Sequence, residues 1–159
     1  GIPGVLDADA INIVANRTTK PDLGAHWVLT PHPGELARLR QTSISEVLGD
    51  PYVAASTSAS ELRAVVVLKA HVTIIASPIG EVRVVDGMNP FLGTGGSGDV
   101  LSGMIAGLMA RGVEPFDAAA AGVYLHAQAG IVAAREGWFL AEDLLPEVSR
   151  IVGELDRIE

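Results

Sequence analysis

The sequence predicts an α/β fold, with a largely parallel sheet flanked by helices and an antiparallel hairpin at the sheet edge. Three observations carry this. Short β-branched runs alternate with longer helical stretches, the arrangement of layered α/β architecture. Two of these runs, Thr73 to Ser77 and Glu81 to Val85, stand at hairpin spacing. A glycine-rich loop, NPFLGTGGSGD from Asn89 to Asp99, then opens an apolar helix.

Taken in order, Val5-Leu6-Asp7 is a short apolar segment entering a loop, and Ala8 to Ala15 reads as a weak helix. Pro21 to Gly24 is turn chemistry. Trp27-Val28-Leu29 predicts a short buried strand ending at Thr30-Pro31. Pro33 begins a helix over Gly34 to Arg40, because a first turn does not need the N–H that proline lacks. Ser43 to Leu62 predicts two helical pieces broken near Gly49-Asp50-Pro51. Ala64 to Leu68, AVVVL, is the clearest central strand, β-branched on both faces.

The hairpin follows, joined by Pro78-Ile79-Gly80, and then a helix from about Ser97 to Ala110 closed by Gly112. Two more helices are expected, over Pro115 to Arg135 and Glu142 to Leu155. Their small-residue runs, DAAAAGV and HAQAG, permit close packing against a neighbour. No internal repeat or linker divides the 159 residues, so one domain is expected.

Composition narrows the function. A net charge of −8, with scattered basic residues, speaks against nucleic acid as a partner. No apolar run approaches the roughly 20 residues of a membrane span, so no membrane role is expected. The chain has no cysteine, which removes disulfides, thiolate catalysis and cysteine-ligated metals and fits a cytoplasmic setting. The sequon at Asn16 carries little weight without a secretory signal.

The glycine loop admits four readings. Gly93 to Gly98 matches the dinucleotide pattern G-x-G-x-x-G, with Asp117 at about the spacing of a ribose-binding acid. That pattern belongs directly after a first strand, whereas this loop comes late and follows Asn89-Pro90. A Walker loop fails because no lysine follows Lys69. Gly95 to Asp99 misses the G-x-S-x-G nucleophile elbow at its last position.

The fourth reading is an anion hole with a base. Amides of Gly96, Ser97, Gly98 and Asp99 at a helix N-terminus would face a phosphate. Asp99 has a bland explanation as a helix-start residue. A carboxylate beside a phosphate is electrostatically unfavourable, however, and that tension favours catalysis, with Asp99 taking a proton from a substrate hydroxyl.

With these residues in view, NPFLGTGGSGDVLSGMIAGLMARG resembles the signature of ADP- or ATP-dependent NAD(P)H-hydrate dehydratases, which have a ribokinase-like fold. Three further landmarks of that family appear in order: VLDADAIN from Val5, LTPHPGELARL from Leu29 and LKAHVTII from Leu68. The chain has Ala70 and Met88 where the family usually has glycine. Members are normally much longer, so residues 1–159 are expected to be the C-terminal portion of one such domain.

The resemblance implies repair of hydrated NADH or NADPH, NAD(P)HX. Its C6 hydroxyl is phosphorylated and phosphate is then eliminated, with ADP or ATP as co-substrate and Mg²⁺ as cofactor. Asp99 would be the general base and would touch substrate. The amides of Gly96, Ser97 and Gly98 would stabilise phosphoryl oxygens. Lys69, Ala70, His71, Val72 and Thr73 would contact the nucleotide, with Gly98 beside its phosphates. His32 would touch the hydrated dinucleotide, and Asp9 and Asn12 are carried to the substrate side. Mg²⁺ would be held by phosphate and water, with no protein metal ligands.

Other readings stand beside these. Lys69 could be a surface lysine, His32 a turn histidine between two prolines, and Asp7 a solvated turn residue. His126 and Gln128 suit packing or an adenine pocket better than catalysis. A homo-oligomer is expected, as is an N-terminal partner segment or an epimerase. The alternatives to the dehydratase are a small-alcohol kinase acting on a vitamin precursor or sugar, and a non-catalytic nucleotide-binding fragment.

Overall fold

The computed structural model describes residues 1–87 and 89–155; Met88 and residues 156–159 lie outside the described residues, as does the side chain of Glu136. The sheet has five strands in the order β1 (Gly4–Leu6), β2 (Trp27–Leu29), β3 (Val65–Leu68), β4 (Thr73–Ala76) and β5 (Val82–Val85). β1, β2 and β3 pair in parallel, with Val5 opposite Val28 and Leu29 opposite Val66. β4 runs antiparallel to both β3 and β5, so it alone reverses direction. The expected parallel sheet with an antiparallel hairpin is therefore present. The hairpin's first strand lies inside the sheet and its second forms the edge.

Side chains alternate strictly across the sheet. Leu29, Val66, Leu68, Ile74 and Ala76 face one layer, which contains helices α1 (Ala8–Ala15), α2 (Pro33–Arg40), α3 (Ile44–Gly49) and α4 (Pro51–Leu62). Val28, Val65, Val67 and Ile75 face the other, built from α5 (Ser97–Ala110) and α6 (Pro115–Ala133). β3 is buried on both faces, which explains its uninterrupted apolar run. A third cluster joins α6 to α7 (Leu144–Leu155) through Ala129, Phe139 and Leu144.

The helix starts have local causes. Asp7, His32, Ser43 and Asp50 each accept a backbone N–H at the start of α1, α2, α3 and α4, satisfying donors that a first turn leaves free. α5 differs: its N-cap is Gly96 at φ +90°, with no side-chain cap. Against α5, α6 packs at Gly122, where an added Cβ would lie 2.7 Å from Ile105 Cγ1. Small residues thus set the approach of this helix pair. A short 3₁₀ turn at Pro90–Gly93, capped by Asn89, was not visible in the sequence, and the expected helix Pro115 to Arg135 ends as a 3₁₀ turn from Ala134.

Candidate active site

The carboxyl ends of β1, β2 and β3 meet the N-terminus of α5. Backbone bonds from Thr30 N–H to Leu6 O (3.1 Å) and from Lys69 N–H to Pro31 O (2.8 Å) carry the sheet one residue past its strands. That extension places Asp7, Thr30 and Lys69 side by side. Lys69 Nζ lies 2.9 Å from Asp7 Oδ1, and Ser102 Oγ donates to Asp7 Oδ2 at 2.6 Å. Ser102 Oγ is also 3.2 Å from the hydroxyl of Thr30, which is wholly buried.

Asp7 is thus no solvated turn residue, because its side chain is only 15% exposed. Burial alone would raise its pKa. Hydrogen bonds from Ser102 and Lys69, the lysine charge and Thr30 outweigh that cost and hold the carboxyl below its ordinary value. Lys69 is likewise no free surface lysine: its side chain is 23% exposed, and its ammonium would sit 3.2 Å from a Cβ placed on Gly98.

A cavity of about 640 Å³ opens beside this cluster. Lys69, Ala70, His71, Thr73, Ser97, Gly98 and His32 line it, and Val72 does not. Its far wall is apolar, from Val85, Leu92, Val123 and Ala127. Polar groups at one end and an apolar slot at the other suit a ligand that combines an anion with a flat ring.

The first turn of α5 forms the polar end. Ser97 is committed within the protein: its N–H donates to Thr94 O at 3.3 Å and its Oγ to Leu92 O at 2.6 Å. The N–H groups of Gly96, Gly98 and Asp99 have no acceptor among the described residues, leaving donors and the positive end of the helix dipole for an anion. Asp99 stands on the same turn, exposed, with no hydrogen bond or ion pair among the described residues. Asp99 does not line the cavity itself.

His126 supports the turn from α6. Its Nε2 is 3.0 Å from Ser97 O, and a carbonyl only accepts, so Nε2 carries the hydrogen. Burial, with the Lys69 charge adding to it, pushes the imidazole down to about 4 and keeps it neutral at neutral pH.

The remaining sequence candidates divide. His32 lines the cavity, yet it also caps α2: Nδ1 accepts from Gly34 N–H at 3.0 Å, and the His32 backbone N–H donates to Glu35 Oε2 at 2.8 Å. Asn12 accepts from Arg38 Nε at 2.9 Å, and Asp9 is exposed; neither lines the cavity. Asp117 binds Arg83 at 2.7 Å at the opposite end of the sheet, which removes it as a ribose ligand for this loop. Ser102 and Thr30 escaped notice in the sequence; the available signal for Ser102 was its position one helical turn beyond Gly98. The Met88 substitution lies outside the described residues.

Comparison with known proteins places the chain among similar sequences and structures. A family model described as NAD(P)H-hydrate dehydratase matches residues 2–152. The bifunctional NAD(P)H-hydrate repair enzyme of Moorella thermoacetica is 44% identical over 98% of this chain and 30% of its own length. The ADP-dependent (S)-NAD(P)H-hydrate dehydratase of Neisseria meningitidis is 41% identical over 92% of this chain and 51% of its own. The crystal structure of the ADP/ATP-dependent NAD(P)H-hydrate dehydratase of Bacillus subtilis, co-crystallised with ATP and Mg²⁺ and soaked with CoA, superposes with a TM-score of 0.85 at 34% identity. It covers 96% of this chain and 56% of that one. The layered α/β arrangement is the ribokinase-like fold. The chain spans about a third to a half of the length of the curated relatives it matches.

Proposed function

The chain belongs to the NAD(P)H-hydrate dehydratase family, and from that membership we propose that it carries the phosphoryl-transfer site of an ADP- or ATP-dependent repair of hydrated NADH and NADPH. The observation that supports this most directly is that the Lys69 ammonium and Gly98, whose N–H has no acceptor among the described residues, stand together on the cavity wall at the start of α5. Those groups suit a nucleotide's phosphates, and the apolar slot suits its base. Lys69 to Thr73 and Gly98 form the nucleotide side. His32, Asp9 and Asn12 belong to the substrate side.

Asp99 is the general base. Its carboxylate can take the proton of the C6 hydroxyl as that oxygen attacks the terminal phosphorus. The bond between that phosphorus and the nucleotide breaks, and the amides of Gly98 and Asp99 hold the charge gathering on the transferred group. Ser97 serves the anion hole by fixing the turn, and Gly96 by its left-handed backbone. Phosphate then leaves C6 with a proton from the adjacent ring carbon, which restores the double bond.

Among the described residues no group of three His, Asp or Glu side chains could enclose a metal. The site therefore does not fit a Mg²⁺ ion held by protein alone. It fits one that arrives on nucleotide phosphates and keeps water for its remaining positions, as that ion prefers. No helix among the described residues is long and apolar enough to cross a membrane. Residues 1–159 are proposed as a portion of one ribokinase-like domain in the cytoplasm, working as a homo-oligomer and with an N-terminal segment or an epimerase. Relatives named as bifunctional support the last point.

The test is return of reduced-nicotinamide absorbance from NADHX with ADP or ATP and Mg²⁺. Asp99→Asn should lower that rate about 10²–10⁴-fold while nucleotide binding persists. An unchanged rate in Asp99→Asn would remove the base. Recovery without nucleotide would remove the phosphorylation step, and nucleotide binding with no recovery would favour the non-catalytic fragment.

A further inference from the structure

We propose that Asp7 is a positioning residue, which holds the Lys69 ammonium at the N-terminus of α5 without touching the ligand itself. The inference rests on the reading of that cavity end as the nucleotide-phosphate site. Lys69 lines the cavity and Asp7 does not, so the carboxylate grips the ammonium from behind. A lysine side chain left to itself samples many rotamers and gives up much entropy when it binds an anion. Here that ordering is already done in the folded protein.

Asp7 is itself held from two sides. Its Oδ1 accepts the Ala8 N–H at 2.9 Å and its Oδ2 accepts the Ser102 hydroxyl at 2.6 Å. Ser102 and Gly98 are one turn apart on α5, and a Cβ on Gly98 would lie 3.7 Å from Asp7 Oδ2. The chain Lys69–Asp7–Ser102–Thr30 therefore ties the ends of three parallel strands to the helix whose amides face the cavity. The backbone just after Asp7 is also unusual: Ala8 has φ +46°, a left-handed conformation that non-glycine residues seldom adopt.

Asp7→Asn separates charge from structure. Asparagine caps a helix as well as aspartate does, and its amide can still exchange a hydrogen bond with Ser102. Only the ion pair to Lys69 is lost. The experiment is calorimetric titration of Mg²⁺-ADP into the wild-type chain, Asp7→Asn, Lys69→Met and the double variant, with thermal unfolding of each. Asp7→Asn should weaken binding about tenfold with little change in Tm, and should add nothing in the Lys69→Met background. Ser102→Ala, which frees one carboxylate oxygen at constant charge, should weaken binding about threefold.

Unchanged or tighter binding in Asp7→Asn, or an equal loss with and without Lys69, overturns the proposal while leaving the phosphate site intact. Should Asp7→Asn fail to fold, the Ser102→Ala result decides, and no loss there counts against it. Absence of Mg²⁺-ADP binding by the wild-type chain would overturn the phosphate-site reading and this one with it.

Discussion

Gly98 has no side chain at a point where two other groups need the room. A Cβ there would stand 3.2 Å from Lys69 Nζ and 3.7 Å from Asp7 Oδ2, over an amide with no acceptor among the described residues. The lysine tip can yield by a few tenths of an ångström, so Gly98→Ala should fold. Alanine is in fact the better helix former, by up to about 1 kcal/mol. The expected outcome is an equal or slightly higher Tm together with at least about tenfold weaker nucleotide binding, because the methyl group moves the ammonium and covers the amide. Calorimetry and thermal unfolding of the same sample check both halves. Loss of both stability and binding would instead make Gly98 a folding residue. The pairing of Lys69 with Asp7 was not legible in the sequence, since 62 positions separate them and no local pattern links a strand end to a helix cap that far away. The glycine turn that starts α5 was legible because its motif sits within a few residues.

Helix boundaries came from the same kind of short-range signal. Capping side chains at Asp7, His32, Ser43 and Asp50, with Pro33 and Pro51 in first turns, start four helices where the sequence reading placed them. The 3₁₀ turn at Pro90–Gly93 was missed because a proline followed by glycines reads equally well as irregular loop. The interior place of β4 was missed because a hairpin's turn says nothing about which of its strands finds a second partner. Close packing of α6 against a neighbour was anticipated from its alanine and glycine content, and the structure shows α5 as that neighbour, in tight contact at Gly122. An added Cβ there would be 2.7 Å from Ile105 Cγ1 and near the α5 backbone, neither of which is a flexible tip. Gly122→Ala should therefore destabilise by about 1–3 kcal/mol although alanine favours helix. Urea unfolding measures this, and a gain in stability would mean that the two helices can separate without cost. Because α5 carries the free amides, the same variant should also weaken nucleotide binding.

At the scale of the whole molecule, charge opposes the ligand. The chain carries a net −8, and a nucleotide is itself an anion, so approach from a distance is uphill. Binding is then a contest between two ranges. Repulsion from scattered surface carboxylates acts over many ångströms and is screened beyond roughly 8 Å at physiological ionic strength. Attraction to Lys69 and the α5 amides acts at contact, inside a cavity where salt screens little. Raising salt therefore removes the unfavourable part first. The association rate of Mg²⁺-ADP, followed by stopped flow at fixed free Mg²⁺, should rise between about 10 mM and 150 mM salt, whereas the dissociation rate should stay nearly constant. That is the reverse of a protein that steers its ligand with surface charge. A falling association rate would show that a local positive field reaches beyond the cavity mouth, and Lys69→Met would then flatten it. A rising association rate that survives Lys69→Met, with faster dissociation, would place the lysine's work after encounter, at the step where phosphate oxygens replace water around a cation already held in place.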